Sequence, residues 1–152
     1  MTPAPGWGEL MTNAARVTTR DADRSGFDLR PDYRVDILCR RNTVSVELGG
    51  RLIAETTHAL LVDEQDHGLV FYVPSADVRV RLRLDSDRTS RCPYKGIASY
   101  WRFEDDGGTA VCWSYEDPVD QVARLRGHVA FRQGRVDVRV GVAAPSAPGR
   151  CR

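Results

Sequence analysis

The sequence predicts a mainly β protein built of antiparallel strands, with one short helix. Three observations carry that prediction. Apolar and polar residues alternate with period two from Val44 to Val140, the pattern of half-buried strands. Turn signals recur between the alternating runs, among them Gly49-Gly50 and Asp105-Asp106-Gly107-Gly108. Residues 118–126 carry the one convincing set of helix signals: Asp117 as the cap, Pro118 at the first position and Gly127 as the stop.

Residues 1–30 mix Pro, Gly, Thr, Asp and Arg without periodicity and read as a partly mobile extension, with residues 8–17 its one helix candidate. A single β-rich domain is expected over residues 31–142, followed by a disordered tail, residues 143–152. Within the domain, residues 44–48 alternate and turn at Gly49-Gly50 into residues 51–55. Residues 58–63 form a further short strand, and the nearly all-apolar residues 69–73 form a central one. Residues 78–84 place Arg79, Arg81 and Arg83 on one face and Val78, Val80, Leu82 and Leu84 on the other. Residues 97–103 and 110–115 pair as a hairpin, and residues 129–131 and 135–140 close the domain as another around Gln133-Gly134. On these strands Tyr100 and Trp101 face opposite ways, and Trp113 and Tyr115 share a face that Ser114 does not.

The chain has 152 residues, 41% hydrophobic and 28% charged, with a formal net charge of +1. That suits one folded domain and gives no overall field toward nucleic acid or an anionic membrane. No apolar run approaches the length of a membrane span, and the N-terminus lacks signal-peptide character. A cytoplasmic location is expected. The cysteines, Cys39, Cys92, Cys112 and Cys151, form no C-x-x-C pair, which argues against a zinc ribbon and for mostly free thiols. His58, His67 and His128 are scattered, so no metal site and no organic cofactor is expected.

Of 22 basic residues 21 are arginine, and Lys95 is the only lysine. A lysine offers a compact charge and an amine whose basicity burial can tune, which arginine does not. Lys95 falls in Arg91-Cys92-Pro93-Tyr94-Lys95-Gly96, within residues 85–96, read as the longest break between strands. Six of the twelve aromatic residues lie between Cys92 and Tyr115, the kind of wall that lines small-molecule pockets.

These residues also carry a resemblance. Cys92-Pro93-Tyr94-Lys95-Gly96, Ala98-Ser99-Tyr100-Trp101 and Trp113-Ser114-Tyr115 with Pro118 resemble the family known as domain of unknown function 427. Gly49-Gly50, Ala54-Glu55-Thr56-Thr57, Ala59-Leu60, Tyr72-Val73-Pro74 and Asp77-Val78-Arg79 fit upstream, and Gly127, Ala130-Phe131 and Arg135-Val136-Asp137 fit downstream. The resemblance implies an Mss4-like β-tent, so the expected sheets are bent and tent-like or barrel-like. It departs at Arg91, where a histidine is usual, and at His58, where a basic residue such as arginine is usual. An old label likens the family to nucleotidyltransferases, but no glycine-rich phosphate loop or paired-carboxylate magnesium site is present.

The expected function is a small-molecule enzyme of the isomerase, cyclase or lyase kind, acting on an anionic or carbonyl-bearing substrate. Lys95, Tyr100, His58 and Cys92 are the candidate catalytic residues; Arg79, Tyr72, Tyr94, Trp113 and Thr57 are the candidate binding residues. Each has a plainer reading: Lys95 an ion-paired loop lysine, Cys92 a small buried group, His58 a strand residue, Trp113 core. A non-catalytic small-ligand binding module is the alternative, with a homodimer possible through sheet edges and neither nucleic acid nor membrane as partner.

Overall fold

The computed structural model describes residues 24–104, 108 and 110–143. The expected helix at residues 8–17 and nearly all of the tail lie outside the described residues. The chain runs α1 (Gly26–Leu29), β1 (Val35–Cys39), β2 (Asn42–Leu48), β3 (Arg51–Thr56), β4 (Leu60–Glu64), β5 (Val70–Pro74), a 3-10 turn (Ser75–Asp77), β6 (Leu82–Cys92), β7 (Gly96–Phe103), β8 (Cys112–Tyr115), a second 3-10 segment (Asp120–Leu125), β9 (His128–Phe131) and β10 (Asp137–Ala143). The strands form a seven-stranded sheet, β1-β4-β5-β9-β8-β7-β6, and a three-stranded sheet, β10-β2-β3. Every pairing is antiparallel. No helix among the described residues is long and apolar enough to cross a membrane.

The mainly β, antiparallel architecture is as the sequence predicts, but it is not barrel-like. The seven-stranded sheet keeps two open edges, β1 and β6. Gly49 and Gly50 adopt φ of +56° and +82° and make the tight β2–β3 turn, whose two positive φ angles glycine accepts without strain. The β7–β8 hairpin forms as expected. The proposed closing hairpin does not: β9 pairs with β5 and β8, whereas β10 crosses to pair with β2 in the other sheet.

Two further expectations are corrected. Residues 85–92 are not a loop but the second half of β6, which pairs with β7 down to Cys92 opposite Gly96. Their polar run hid an edge strand, which needs no apolar alternation on its open side. Upstream, Val78 makes only an isolated bridge to Ala54, and the strand starts at Leu82. The helix expected at residues 118–126 is a kinked 3-10 segment with Val122 outside helical geometry and Val119, not Asp117, at its cap position. Asp117 instead pairs with Arg126 at 3.1 Å.

The seven-stranded sheet has two buried faces. Its back packs Val73, Phe103, Val111, Cys112, Val129 and Phe131 against Val46, Ile53 and Ala54 of the small sheet. Its front carries Tyr72, Cys92, Ala98, Tyr100, Trp113, Tyr115 and Ala130, covered by Val122 and Leu125 of the second 3-10 segment and by Phe27 of α1. Tyr100 thus points forward and Trp101 backward, as strand alternation requires. Trp113 and Tyr115 face forward together, while Ser114 accepts a 2.8 Å hydrogen bond from Trp101 Nε1. Cys92 and Cys112 are buried free thiols; Cys39 is disulfide-bonded, against the expectation of mostly free thiols.

Candidate functional site

Residues 93–95 turn β6 into β7. The turn is closed by Lys95 N–H to Cys92 O at 3.3 Å, and Gly96 follows at φ +114°, a conformation that side-chain-bearing residues rarely adopt. Val119 N–H donates to Lys95 O at 3.0 Å, tying the turn to the second 3-10 segment. So held, Lys95 is buried and its ammonium donates to Glu64 Oε2 at the end of β4. The other carboxylate oxygen, Oε1, accepts from the Tyr33 hydroxyl at 3.0 Å. Both ends of the ion pair are therefore compensated, and each side chain is only 9% exposed.

A cap of three aromatic rings covers the pair. Tyr33 and Tyr94 stack with centroids 3.6 Å apart, and Phe27 meets the Tyr94 ring edge-on at 5.2 Å. The capping box of Ser25 and Asp28 starts α1 beside them. Gly26 N–H donates to Pro93 O at 2.7 Å. A Cβ at Gly26 would sit 2.6 Å from Tyr94 Cε1, so only glycine permits this approach. The described end of the extension thus folds over the Lys95 turn.

Beside the pair, Tyr72 is buried and its hydroxyl accepts from Trp113 Nε1 at 3.2 Å. Tyr100 shares a 2.7 Å hydrogen bond with Ser90 Oγ. Burial raises the Tyr72 and Tyr115 phenols, with smaller contributions from Cys92, Tyr100 and Glu64. Tyr33 is raised first by burial and then by the Glu64 charge and hydrogen bond. These phenols stay protonated across the ordinary pH range and can serve as donors.

The structure brings Lys95, Cys92, Tyr72, Tyr94, Tyr100 and Trp113 together on or against the front face. It does not bring in the other three. His58 is exposed and its ring lies 3.3 Å from Thr57 Oγ1. Arg79 is exposed and pairs with Glu55 of the small sheet at 3.2 Å. Sequence reasoning missed Glu64 and Tyr33. Glu64 was legible, because it is in phase with Leu60 and Val62, both buried in the same front cluster. A surface depression of about 490 Å³ lined by Gln133, Val136, Asp137, Val138 and Arg139 holds none of these residues. Among the described residues no group of three or more His, Cys, Asp or Glu side chains is placed to hold a metal.

The family model described as domain of unknown function (DUF427) matches residues 36–141, which span both sheets, and the chain belongs to that family. No curated protein matches the chain.

Proposed function

We propose that this member of the family is a small-molecule enzyme whose reacting group is the amine of Lys95, with Glu64 as its proton partner. The observation that supports the reading is the buried Lys95–Glu64 pair itself. Desolvating two charges costs about as much as their attraction returns, so such a pair adds little stability over a packed apolar pair. It does place an amine and a carboxylate within hydrogen-bond reach of each other in a site walled by aromatic rings.

The substrate class is a carbonyl compound. Glu64 takes a proton from the ammonium, and the free amine adds to the carbonyl carbon. Glu64 returns that proton to the former carbonyl oxygen, then carries a second proton from the carbinolamine nitrogen to the same oxygen, which leaves as water as the protonated imine forms. A protonated imine withdraws electrons from a neighbouring C–H or C–C bond, the common need of isomerase, cyclase and lyase chemistry. No metal or organic cofactor is required for that step. Tyr72 supplies a hydroxyl donor nearby, and the cap of Phe27, Tyr33 and Tyr94 must lift for entry and close to exclude water.

The single lysine makes the test clean. The protein is incubated with pyruvate or a short aldehyde, reduced with borohydride and digested. Reductive attachment at Lys95 exceeding that at the N-terminal amine supports the reading. Absence of attachment at Lys95 under conditions that label the N-terminus rejects it. A second reading, a non-catalytic binding module, draws on the cap: both oxygens of Glu64 are already engaged beneath it. Under that reading a ligand displaces the cap and protects Lys95 from acetylation without ever becoming attached.

A further inference from the structure

At the other end of the front face, β6 and β7 fall out of register. Leu84 pairs with Trp101 and Thr89 with Ser99, so residues 85–88 are inserted opposite the single residue Tyr100. The last of them, Arg88, lies with its guanidinium carbon 4.4 Å from the Tyr100 ring centroid. Tyr100, Trp113 and Ala130 lie in one cross-strand row on the front face. Arg102, two residues beyond Tyr100 in β7, is in phase with this row, and Arg132, the residue after β9, feels the charge of Arg88 and lies near Tyr100. They flank β8 at one level: Val111 N–H donates to Trp101 O and Arg132 N–H donates to Val111 O, each at 2.8 Å. Between them the front cluster offers only the methyl group of Ala110.

Among the described residues Arg88, Arg102 and Arg132 make no ion pair, in contrast to Arg34, Arg79, Arg126 and Arg139 on the outside. Arg102 Nε is buried without a hydrogen-bond partner. Burial, and then the nearby charge of Arg88, lowers the Arg132 guanidinium from its ordinary value. Half-buried like charges that repel one another and keep an unspent donor are a cost that an anion removes.

We infer that Arg88, Arg102 and Arg132, with the Tyr100 and Ser90 hydroxyls beside them, form a binding site for a phosphate group. Three forked guanidinium groups and a hydroxyl pair match a tetrahedral anion with several oxygens, whereas a carboxylate, with two, leaves one guanidinium unanswered. The site is distinct from the lysine pair. Arg102 lies six residue steps along β7 from Gly96, about 20 Å of strand. It therefore stands or falls independently of imine chemistry at Lys95.

The test compares wild type with Arg102→Gln and Arg132→Gln in thermal unfolding and in calorimetric titration with inorganic phosphate at constant ionic strength. Any general stabilisation by phosphate excluded from the protein surface is common to all three proteins. Each variant is expected to bind phosphate at least about tenfold more weakly, since a charge-assisted contact is lost. Without phosphate, Arg132→Gln is expected to melt higher than wild type, because a repulsive charge is gone. A wild type that phosphate stabilises no more than the variants overturns the inference. An Arg132→Gln protein that melts lower than wild type without phosphate overturns it as well.

Discussion

Lys95 and Arg132 stand at opposite ends of one sheet face, and their surroundings treat charge in opposite ways. Lys95 is buried, and its partner Glu64 has one oxygen on the ammonium and the other on Tyr33. Arg132 is half buried beside Arg88, and Arg102 keeps a buried N–H without an acceptor. A closed, balanced charge pair suits internal proton transfer. An open, unbalanced cluster suits an anion brought from outside. The difference lies in neighbours, not in residue type, and it can be broken or sharpened one neighbour at a time.

The largest effect is expected from unbalancing the lysine end. Glu64→Leu leaves a buried ammonium without its carboxylate and should destabilise the fold by about 3–5 kcal/mol in urea unfolding. Adding Lys95→Met to Glu64→Leu should recover most of that loss, because the unpaired charge goes with it. Equal stability of Glu64→Leu and wild type would show that the lysine is solvated and that the two ends do not differ.

Alkaline pH separates proton-holding groups from permanent charges. Burial pushes Cys112, on the back face, up to about 12 from its ordinary 9.0. The folded protein then keeps a proton that the unfolded chain loses above pH 9, so this contribution is complete below pH 9 and is lost as pH rises toward 12. The fall amounts to about 4 kcal/mol. Tyr33 and Tyr72 act in the same direction from pH 10 upward. Cys112→Ala should flatten the earlier part of the fall and Tyr33→Phe the later part, read from urea midpoints across the pH range. An alkaline slope unchanged in Cys112→Ala would mean that this thiol is not shielded.

The aromatic cap gives a smaller effect. Gly26→Ala places a methyl group against Tyr94 and should cost about 1–3 kcal/mol as neighbours shift. Because Lys95 is the only lysine, a lysine-specific protease has one site to report on the cap. Cleavage should be slow in wild type and faster in Gly26→Ala. Equal rates would mean that α1 does not guard the turn.

These contrasts also explain what the sequence revealed. Period-two alternation was enough for most strands, the forward aim of Tyr100 and Trp113 and the Gly49-Gly50 turn, since each depends on local geometry. The separation of β9 from β10 depends on long-range pairing, which no local pattern encodes. β1 is obscured in the sequence because the exposed Leu38 interrupts the alternation of Val35, Ile37 and Cys39, and the run follows directly on an aperiodic extension. At the site, Lys95 stood out by rarity. Glu64, Arg102 and Arg132 did not, because charged residues are read as solvent-facing. Phase would have found them: Glu64 follows Leu60 and Val62, Arg102 follows Ala98 and Tyr100, and Arg132 follows Ala130.

The smallest effect tests whether phase is the right criterion. Arg81 and Arg83 were the conspicuous arginines of the sequence, on one face of an alternating run. The structure exposes both, each 3.9 Å from Glu104, and long exposed ion pairs contribute little. Arg81→Gln and Arg83→Gln should therefore leave both the melting midpoint and the phosphate titration unchanged, while Arg102→Gln and Arg132→Gln change both. All four substitutions remove one positive charge, so net charge cannot account for a split between them. A phosphate affinity that fell equally in all four would reduce the front-face cluster to part of a general basic surface. A loss confined to Arg102 and Arg132 ties recognition to residues in phase with the buried front face.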